Sequence, residues 1–282
     1  MKAYFYGYYF KCQSDSQTLA LIAATHGAGK NRTCSLQVIT ESGAWVAEFP
    51  KEAYFQKGSL IKIGENKFSR RGIRVDLKTE DLRLTGNLKF GPITPLKYDI
   101  MGPFALIPGM ECRHMVGSLS HPVNGKLTVN DVDYVFDNAR GYWEGDTGRS
   151  FPKEYLWTQS FLPEGGSLML SVADIPFPGF CFTGVIGVIY WHGKEYRIAT
   201  YLGAKAKEIR DGGAVVEQGG MRLKVRLLEA SGKALRAPQC GSMVRTIHES
   251  ATCKASYEFY VGEEKIFEFV TDQATFEYEY PV

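Results

Sequence analysis

In the stretch Gly72-Ile-Arg-Val-Asp-Leu-Lys78, every second residue is apolar. Successive side chains of a β-strand point to opposite faces of the sheet, so this alternation predicts a strand with one buried face. The same alternation recurs from Leu223 to Leu227 and from Tyr257 to Val261. No long window of the sequence has the period of a helix. We therefore predict an all-β chain of antiparallel strands with very little helix.

Turn-forming residues separate the predicted strands. The best candidate for a helix is short: Ser150 could cap a turn that runs from Phe151 to Leu156, with Pro152 tolerated in its first turn. Pairs of residues that favour tight hairpin turns occur at Asn124-Gly125, Asn130-Asp131, His192-Gly193 and Ser231-Gly232.

Length and composition restrict the class of protein. A chain of 282 residues is long for a single core and sufficient for two domains of about 140 residues each. Aromatic residues make up 13% of the chain, and their flat side chains pack well on the pleated surface of a sheet. The net charge of +2, from 33 basic and 31 acidic residues, gives no electrostatic basis for binding nucleic acid. We therefore expect no nucleic-acid partner.

The two halves of the chain resemble each other in the order of their segments. Gly72–Leu82 and Gly220–Ala230 share an alternating pattern, and each half ends in a hairpin rich in Val, Phe and Tyr. A repeat of this length indicates duplication of a whole domain. We predict two consecutive antiparallel β-barrels related by duplication, over residues 1–146 and 147–282, because closed barrels leave no exposed strand edges.

The sequence shows neither an export signal nor a membrane-spanning segment. The segment Met1–Phe10 lacks the long aliphatic run of a secretory signal and is predicted to be a strand. The longest charge-free run lies between Asp174 and His192 and is shorter than the ~20 apolar residues that span a bilayer. We expect a cytoplasmic protein in which the six cysteines are free thiols.

Glu144 and Asp146 are the main candidates for chemistry. Because they lie two residues apart, an extended backbone projects both from one face, together with Tyr142. In a poorly hydrated space, desolvation and mutual repulsion would raise the pKa of at least one carboxyl group, as a proton donor with a partner base requires. The alternative is a polar turn in which Asp146 binds backbone amides and Glu144 pairs with a neighbouring arginine.

Four other residues are candidates for binding a ligand. Trp157 and Gln159 would share one face of a strand, and an indole beside an amide suits a flat ring with a polar edge. The alternative is a packed indole and an amide that satisfies a buried carbonyl. Glu111 and His114 would project from opposite faces of their strand. His114 is interpreted as a structural group or as a polar group inside the cavity, and Glu111 as a further polar contact to the ligand.

The motifs of metal and cofactor sites are missing from the sequence. His114 and His121 lack a recognised ligand spacing, and so do the cysteines, so we predict no metal site. Thr25–Lys30 resembles a phosphate-binding loop but lacks its first glycine and the hydroxyl residue after the lysine. Gly184–Val188 lacks the third glycine of a dinucleotide-binding turn. We predict no cofactor.

The segment around the two carboxyl residues reads Gly141-Tyr142-x-Glu144-x-Asp146-x-Gly148-x-Ser150-Phe151-Pro152, followed by Tyr155, Trp157 and Gln159. This motif resembles the signature of the tocopherol cyclase-like family. Gly102–His114 upstream and Gly193–Lys205 downstream are similar as well, so the resemblance covers roughly residues 95 to 282.

The resemblance implies two lipocalin-like (calycin) barrels and an intramolecular lyase or isomerase. In the family, a carboxylic acid protonates the side-chain double bond of a prenylated quinol, and the phenol oxygen captures the cation to close a chromanol ring. For this chain, the resemblance implies Asp146 or Glu144 as the acid. Gln159 and His114 would position the hydroxyl group. The aromatic side chains that could stabilise the cation by cation–π attraction are Tyr142, Trp143, Tyr155 and Trp157.

The implied partner is a hydrophobic small molecule: a prenylated quinol, an isoprenoid or a fatty acid. A peripheral contact with a membrane would let the protein collect it. The lack of a plastid transit peptide suits a bacterial cytoplasmic member, and Thr147 and Tyr155 stand where the plant enzymes carry Trp. Two other interpretations stay open: a non-catalytic hydrophobic-ligand carrier of the calycin type, and a structural protein with filled barrels.

Overall fold

The structure, a computed structural model, describes residues 4–108, 110–177, 179–230, 233–239 and 241–281. It confirms the predicted fold class, because the chain forms two nearly closed antiparallel β-barrels, each with its own hydrophobic core. Each compact unit is built from several separate segments of the chain. The first unit comprises Met1–Lys97, Met110–Phe151 and Arg236–Arg245, and the second comprises Tyr98–Gly109, Pro152–Leu235 and Thr246–Val282.

The first sheet has eleven antiparallel strands. Its strands are β1 (Tyr4–Gln13), β2 (Thr18–Gly27), β3 (Thr33–Thr40), β4 (Ala44–Pro50), β5 (Tyr54–Lys57), β6 (Leu60–Ile63), β7 (Asn66–Ser69), β8 (Gly72–Lys78), β9 (Arg83–Phe90), β10 (Cys112–Val129) and β11 (Val132–Gly148). Their order is β4-β3-β2-β1-β11-β10-β9-β8-β7-β6-β5, so the first strand pairs with the last. The boundary expected between residues 146 and 147 falls within β11.

Aromatic rings fill the interior of the first barrel. Phe10 on β1 stacks on Trp143 of β11, with ring centres 5.8 Å apart, and lies 6.2 Å from the ring of Phe68 on β7. Tyr8 meets Trp143 edge to face at 5.2 Å. Such ring pairs add to the free energy gained from the burial of apolar surface. Because the rings come from the first, middle and last strands, their packing holds the sheet in its curled form.

The second sheet has ten strands and the same closure. Its strands are β12 (Tyr155–Phe161), β13 (Ser167–Phe177), β14 (Phe180–Trp191), β15 (Lys194–Ala199), β16 (Lys205–Arg210), β17 (Gly213–Gln218), β18 (Met221–Glu229), β19 (Lys233–Gln239), β20 (Ser242–Val261) and β21 (Glu264–Tyr278). Their order is β15-β14-β13-β12-β21-β20-β18-β17-β16, and β19 pairs with β20. Its core cluster is separate from that of the first unit.

The strand order shows how the two units correspond. In both units, the first strand pairs with the last strand, and the last two strands form a long hairpin. The two segments whose patterns match in sequence are not equivalent, however. Gly72–Lys78 forms β8, which is the fourth strand of its sheet when the count starts at β11. Met221–Glu229 forms β18, which is the third strand of its sheet when the count starts at β21. Half-buried strands in one sheet have similar patterns, so the alternation predicts duplication but not its register.

Two of the expected tight turns are confirmed. Asn130 and Asp131 join β10 to β11 with φ of 46° and 68°, and His192 and Gly193 join β14 to β15 with φ of 45° and 77°. The turn expected at Asn124-Gly125 is wrong, because both residues lie inside β10. Gly125 has a φ of 127° at a break in the register, where a side chain would meet a carbonyl oxygen of β9. Ser231-Gly232 lies outside the described residues.

The helix expected after Ser150 is also wrong. Residues 150–154 are irregular, and Tyr155 begins β12, which pairs with both β13 and β21. Pairing on both sides requires an extended backbone from Tyr155 onward.

Among the described residues, none of the helices is long and apolar enough to span a membrane. The helices are short 3-10 turns at Gly29–Asn31, Lys51–Ala53, Gly102–Leu106, Pro163–Gly165 and Thr200–Leu202.

Replacing Phe10 with Ala is expected to lower the free energy of unfolding by about 3–5 kcal/mol, because it removes a fully buried ring from the aromatic cluster. Chemical denaturation followed by tryptophan fluorescence measures the loss. Phe55→Ala is the matched control: Phe55 is 49% exposed, and its loss should cost less than about 1 kcal/mol. Equal losses for the two variants would show that the aromatic cluster does not hold the first barrel.

Candidate functional site

Strand β11 presents different side chains on its two faces. Trp143 points into the core of the first unit, whereas Tyr142, Glu144 and Asp146 project from the opposite face. Trp143, one of the aromatic residues expected to stabilise a cation at the site, therefore lies on the other face of the strand from the carboxyl groups. Tyr142 and Glu144 are buried, and Asp146 is half-buried. The polar-turn alternative is wrong, because both carboxyl residues lie within a regular strand.

His114 lies between the two carboxyl groups. The pairing of β10 with β11 places His114 opposite Asp146. Its Nδ1 lies 2.9 Å from Oδ1 of Asp146 in a hydrogen bond, and its Nε2 lies 3.2 Å from Oε2 of Glu144. The second contact lacks hydrogen-bond geometry, so it is a close electrostatic contact between the two side chains. Both ring nitrogens thus face a carboxyl group.

Two further side chains contact the carboxyl groups. The hydroxyl of Tyr142 donates a hydrogen bond of 2.6 Å to Oε2 of Glu144. The thiol of Cys112 donates to Oδ1 of Asp146, with Sγ 3.5 Å away. Burial, followed by the negative charge of the neighbouring carboxylate, raises the pKa of Tyr142 and of Cys112 well above their ordinary values. Both groups are therefore neutral donors at physiological pH.

Burial and charge act in opposite directions on His114. Burial lowers the pKa of His114, but the negative charges of Asp146 and Glu144 outweigh it and raise that pKa well above 6.5. Burial raises the pKa of Glu144 above 4.5, and the positive charge of His114 opposes this effect only in part. The site therefore combines an imidazolium with a carboxyl group that holds its proton more tightly than an exposed glutamate does.

The same three side chains carry the donor atoms of a metal site. One ligand atom from each of His114, Glu144 and Asp146 lies within 4.8 Å of the others. Imidazole and carboxylate groups are common metal ligands. In this geometry, however, Nδ1 is hydrogen-bonded to Asp146 and Nε2 faces Glu144. A metal ion held by Nε2 of His114 and Oε2 of Glu144 would therefore compete with the Nε2 proton, while the hydrogen bond from Nδ1 to Asp146 could stay in place.

The other aromatic and amide candidates lie on β12 in the second unit. Leu156 belongs to the core cluster, so Tyr155, Trp157 and Gln159 project from the opposite face. The hydroxyl of Tyr155 donates a hydrogen bond to Oε2 of Glu277 on β21. Gln159 is fully buried, and neither polar atom of its amide has a hydrogen-bond partner in the described part of the chain. The alternative in which Gln159 satisfies a buried carbonyl is therefore wrong.

Glu111 takes a backbone role in the structure. It lies just before β10, and its carbonyl oxygen accepts a hydrogen bond of 2.7 Å from the N–H of Arg149. Among the described residues, the carboxyl groups that contact His114 are those of Glu144 and Asp146. After burial and Asp146, the negative charge of the Glu111 carboxylate also helps to raise the pKa of Cys112.

Glu277 is a buried carboxyl residue that the sequence did not indicate. It is only 7% exposed, although it lies between Phe276 and Tyr278 in an alternating strand. Alternation places it on the face opposite the buried ring of Phe276, which is ordinarily the face toward water. Nothing in the local pattern distinguishes a covered outer face from an exposed one. The buried state of Glu277 depends on tertiary structure.

No protein-family model and no curated protein matches the chain. Solved structures do share its fold. A protein described as AttH from Nitrosomonas europaea has a TM-score of 0.57 at 11% identity, covering 100% of this chain and 93% of that one. Kievitone hydratase from Nectria haematococca has a TM-score of 0.57 at 10% identity, covering 98% and 89%. CghA has a TM-score of 0.61 at 12% identity, covering 99% and 88%. At these identities, the likeness shows the fold alone.

Nuclear magnetic resonance should find opposite protonation states for two buried histidines at pH 7. The carboxyl groups around His114 raise its pKa well above 6.5, so its ring should carry both protons. Burial lowers the pKa of His121 to about 4, so its ring should be neutral. Nitrogen-15 shifts of the two rings, assigned with His114→Gln and His121→Gln variants, distinguish the states. A neutral His114 at pH 7 would contradict the ion-pair description.

Proposed function

We propose that this protein is an enzyme that transfers a proton to a lipophilic small molecule from Glu144. One observation carries the proposal: a buried carboxyl group with a raised pKa contacts a phenol and an imidazolium. A general acid works best when its pKa lies near the working pH, because it must both hold and release its proton. An exposed glutamate with a pKa of about 4.3 is almost entirely ionised at pH 7.

The neighbours of Glu144 have distinct roles in this proposal. Among the described residues, Tyr142 and His114 both contact the Glu144 carboxyl group at Oε2, so we assign Oε1 to the substrate. The positive charge of His114 stabilises the carboxylate that remains after proton transfer. Asp146 acts through His114: its hydrogen bond to Nδ1 fixes the orientation of the ring. Glu144 is thus the catalytic residue, and His114 and Asp146 are positioning residues.

For a prenylated quinol, the proposed reaction is an isomerisation that needs no cofactor. Glu144 donates a proton to the less substituted carbon of the side-chain double bond, and a tertiary cation forms. The phenol oxygen attacks this cation and forms the C–O bond of a new ring. The phenol proton then returns to the Glu144 carboxylate, so the enzyme is regenerated. Aromatic side chains near the carboxyl group, among them Tyr142, would stabilise the cation while it lasts.

Two observations support this class of substrate. The motif from Gly141 to Gln159 resembles that of the tocopherol cyclase-like family, whose members close chromanol rings. One structure with the same fold is named a hydratase, so the fold is compatible with catalysis on a small molecule. Thr147 and Tyr155 stand where the plant enzymes carry tryptophan, so the proposal does not extend to the plant quinol. The proposal therefore specifies a hydroxylated, lipophilic aromatic or isoprenoid compound.

The carrier interpretation is less well supported. A calycin carrier holds its ligand inside a barrel, which requires a hollow interior. In the first unit, stacked rings of Phe10, Phe68 and Trp143 occupy that interior. The buried side chains of Tyr142 and Glu144 lie on the opposite face of the sheet. A ligand of the first unit is therefore expected at Glu144, outside the packed core.

Incubation with a prenylated hydroquinone in deuterium oxide tests the proposal. A ring-closed product should carry one deuterium on carbon, because the proton added to the double bond comes from the exchangeable Glu144 carboxyl group. Glu144→Gln should reduce the rate at least about a hundredfold, a typical loss for a general acid. Glu65→Gln, the same change at an exposed position, is the control and should leave the rate unchanged.

Mass spectrometry of compounds that copurify with the native protein identifies the ligand independently. A prenylated aromatic compound agrees with the proposed reaction, whereas a fatty acid agrees with a carrier. If the hydroquinone is cyclised equally well by wild type and by Glu144→Gln, Glu144 is not the acid. Asp146→Asn would then be the next variant, since Asp146 is the other carboxyl residue of the cluster.

A further inference from the structure

The second unit contains a buried carboxyl–phenol pair that the proposed reaction does not use. Tyr155 on β12 donates its hydroxyl to Oε2 of Glu277 on β21, and both side chains are buried. The register of the two strands places Trp157 directly opposite Glu277 and Gln159 opposite Thr275. Tyr155 and Gln159 are therefore the two diagonal neighbours of Glu277 across the strand pair.

Gln159 is the unusual member of this group. Its side chain is fully buried, yet neither Oε1 nor Nε2 has a hydrogen-bond partner in the described part of the chain. Its neighbour Thr158 points the other way and is satisfied, donating a 2.8 Å hydrogen bond to the carbonyl of Thr275. An unpaired buried amide destabilises a fold, and buried polar groups are nearly always satisfied. A hydrogen-bonding group of a ligand that meets the Gln159 amide would account for its unpaired atoms.

The position of this group corresponds to that of the site in the first unit. Glu144 and Glu277 both lie on the last strand of their sheet, next to the first strand. Both project from the face opposite the core cluster, and each accepts a hydrogen bond from a tyrosine hydroxyl. In the first unit Tyr9 lies opposite the glutamate, and in the second unit Trp157 does. The duplication thus gives each unit a buried carboxyl–phenol pair on the same face.

We infer that Gln159, Tyr155 and Glu277 form a second binding site, in the second unit, for the hydroxyl group of a neutral aromatic ligand. A hydroxyl group both donates and accepts hydrogen bonds, and the amide of Gln159 offers one acceptor and two donors. Trp157 supplies a flat apolar surface between Gln159 and Tyr155 for the attached ring. The Glu277 carboxyl group disfavours an anionic ligand. The inference concerns binding and does not depend on the reaction proposed for Glu144.

Isothermal titration calorimetry with 2-naphthol and naphthalene tests this site. The two probes share a ring system and differ by one hydroxyl group. Wild type should bind 2-naphthol at least about tenfold more tightly than naphthalene, because a site built for a hydroxyl group rejects the analogue that lacks it. Gln159→Met keeps the size of the side chain and removes both hydrogen-bonding atoms, so it should abolish this preference while naphthalene affinity stays within about twofold.

Two other variants make the result specific. Glu277→Met removes both carboxyl oxygens and should also reduce the preference for 2-naphthol, whereas Glu65→Gln, a change at an exposed position of the first unit, should leave it intact. Without a probe, Gln159→Met should raise the melting temperature by about 2–4 °C, because an unpaired amide is no longer buried. A preference that survives Gln159→Met would overturn the inference. Loss of turnover in Glu144→Gln would be a separate result, so the two proposals fail independently.

Discussion

The alternation of side chains along β11 joins the core of the first unit to its candidate site. Trp143 packs against Phe10 in the interior, and its neighbours Tyr142 and Glu144 project from the other face. A slip of one residue in the pairing of β11 would exchange these positions and bury a carboxyl group among aromatic rings. The aromatic core therefore fixes the register, and the register in turn places Asp146 opposite His114 on β10.

The cluster around His114 buries charged groups, and this burial lowers the free energy of unfolding unless their mutual attraction compensates for it. Burial of charged groups costs free energy that their mutual attraction recovers only when the geometry is favourable, and apolar replacements are often as stable. Two carboxyl groups here share one imidazolium, and burial still raises the pKa of Glu144. In the proposed function, this arrangement serves proton transfer and not stability. The same comparison applies to buried Gln159 and Glu277 in the second unit, because two apolar side chains at those positions would also favour folding.

Much of this architecture could be predicted from the sequence, because period-two alternation is a local property. The alternation was enough to predict the all-β class, the duplication and the shared face of Tyr142, Glu144 and Asp146. The wrong predictions concern positions whose conformation is set by tertiary contacts. Asn124-Gly125 has the composition of a turn, but its place in the long β10 makes it a bulge. The contact of His114 with Asp146 depends on the register of two strands, and the burial of Glu277 depends on a covered outer face. Neither is visible in a local pattern.

The central claim is that Glu144 holds a proton at a pH where ordinary glutamates have lost theirs. The protonation of Glu144 can be followed across a pH titration by carbon-13 nuclear magnetic resonance of protein labelled at the glutamate side-chain carboxyl groups. The Glu144 signal is identified by its loss in Glu144→Gln. The account predicts a titration midpoint clearly above 4.5, because burial disfavours the carboxylate. A midpoint at or below 4.5 would mean that His114 neutralises the effect of burial, and Glu144 could not then serve as the acid.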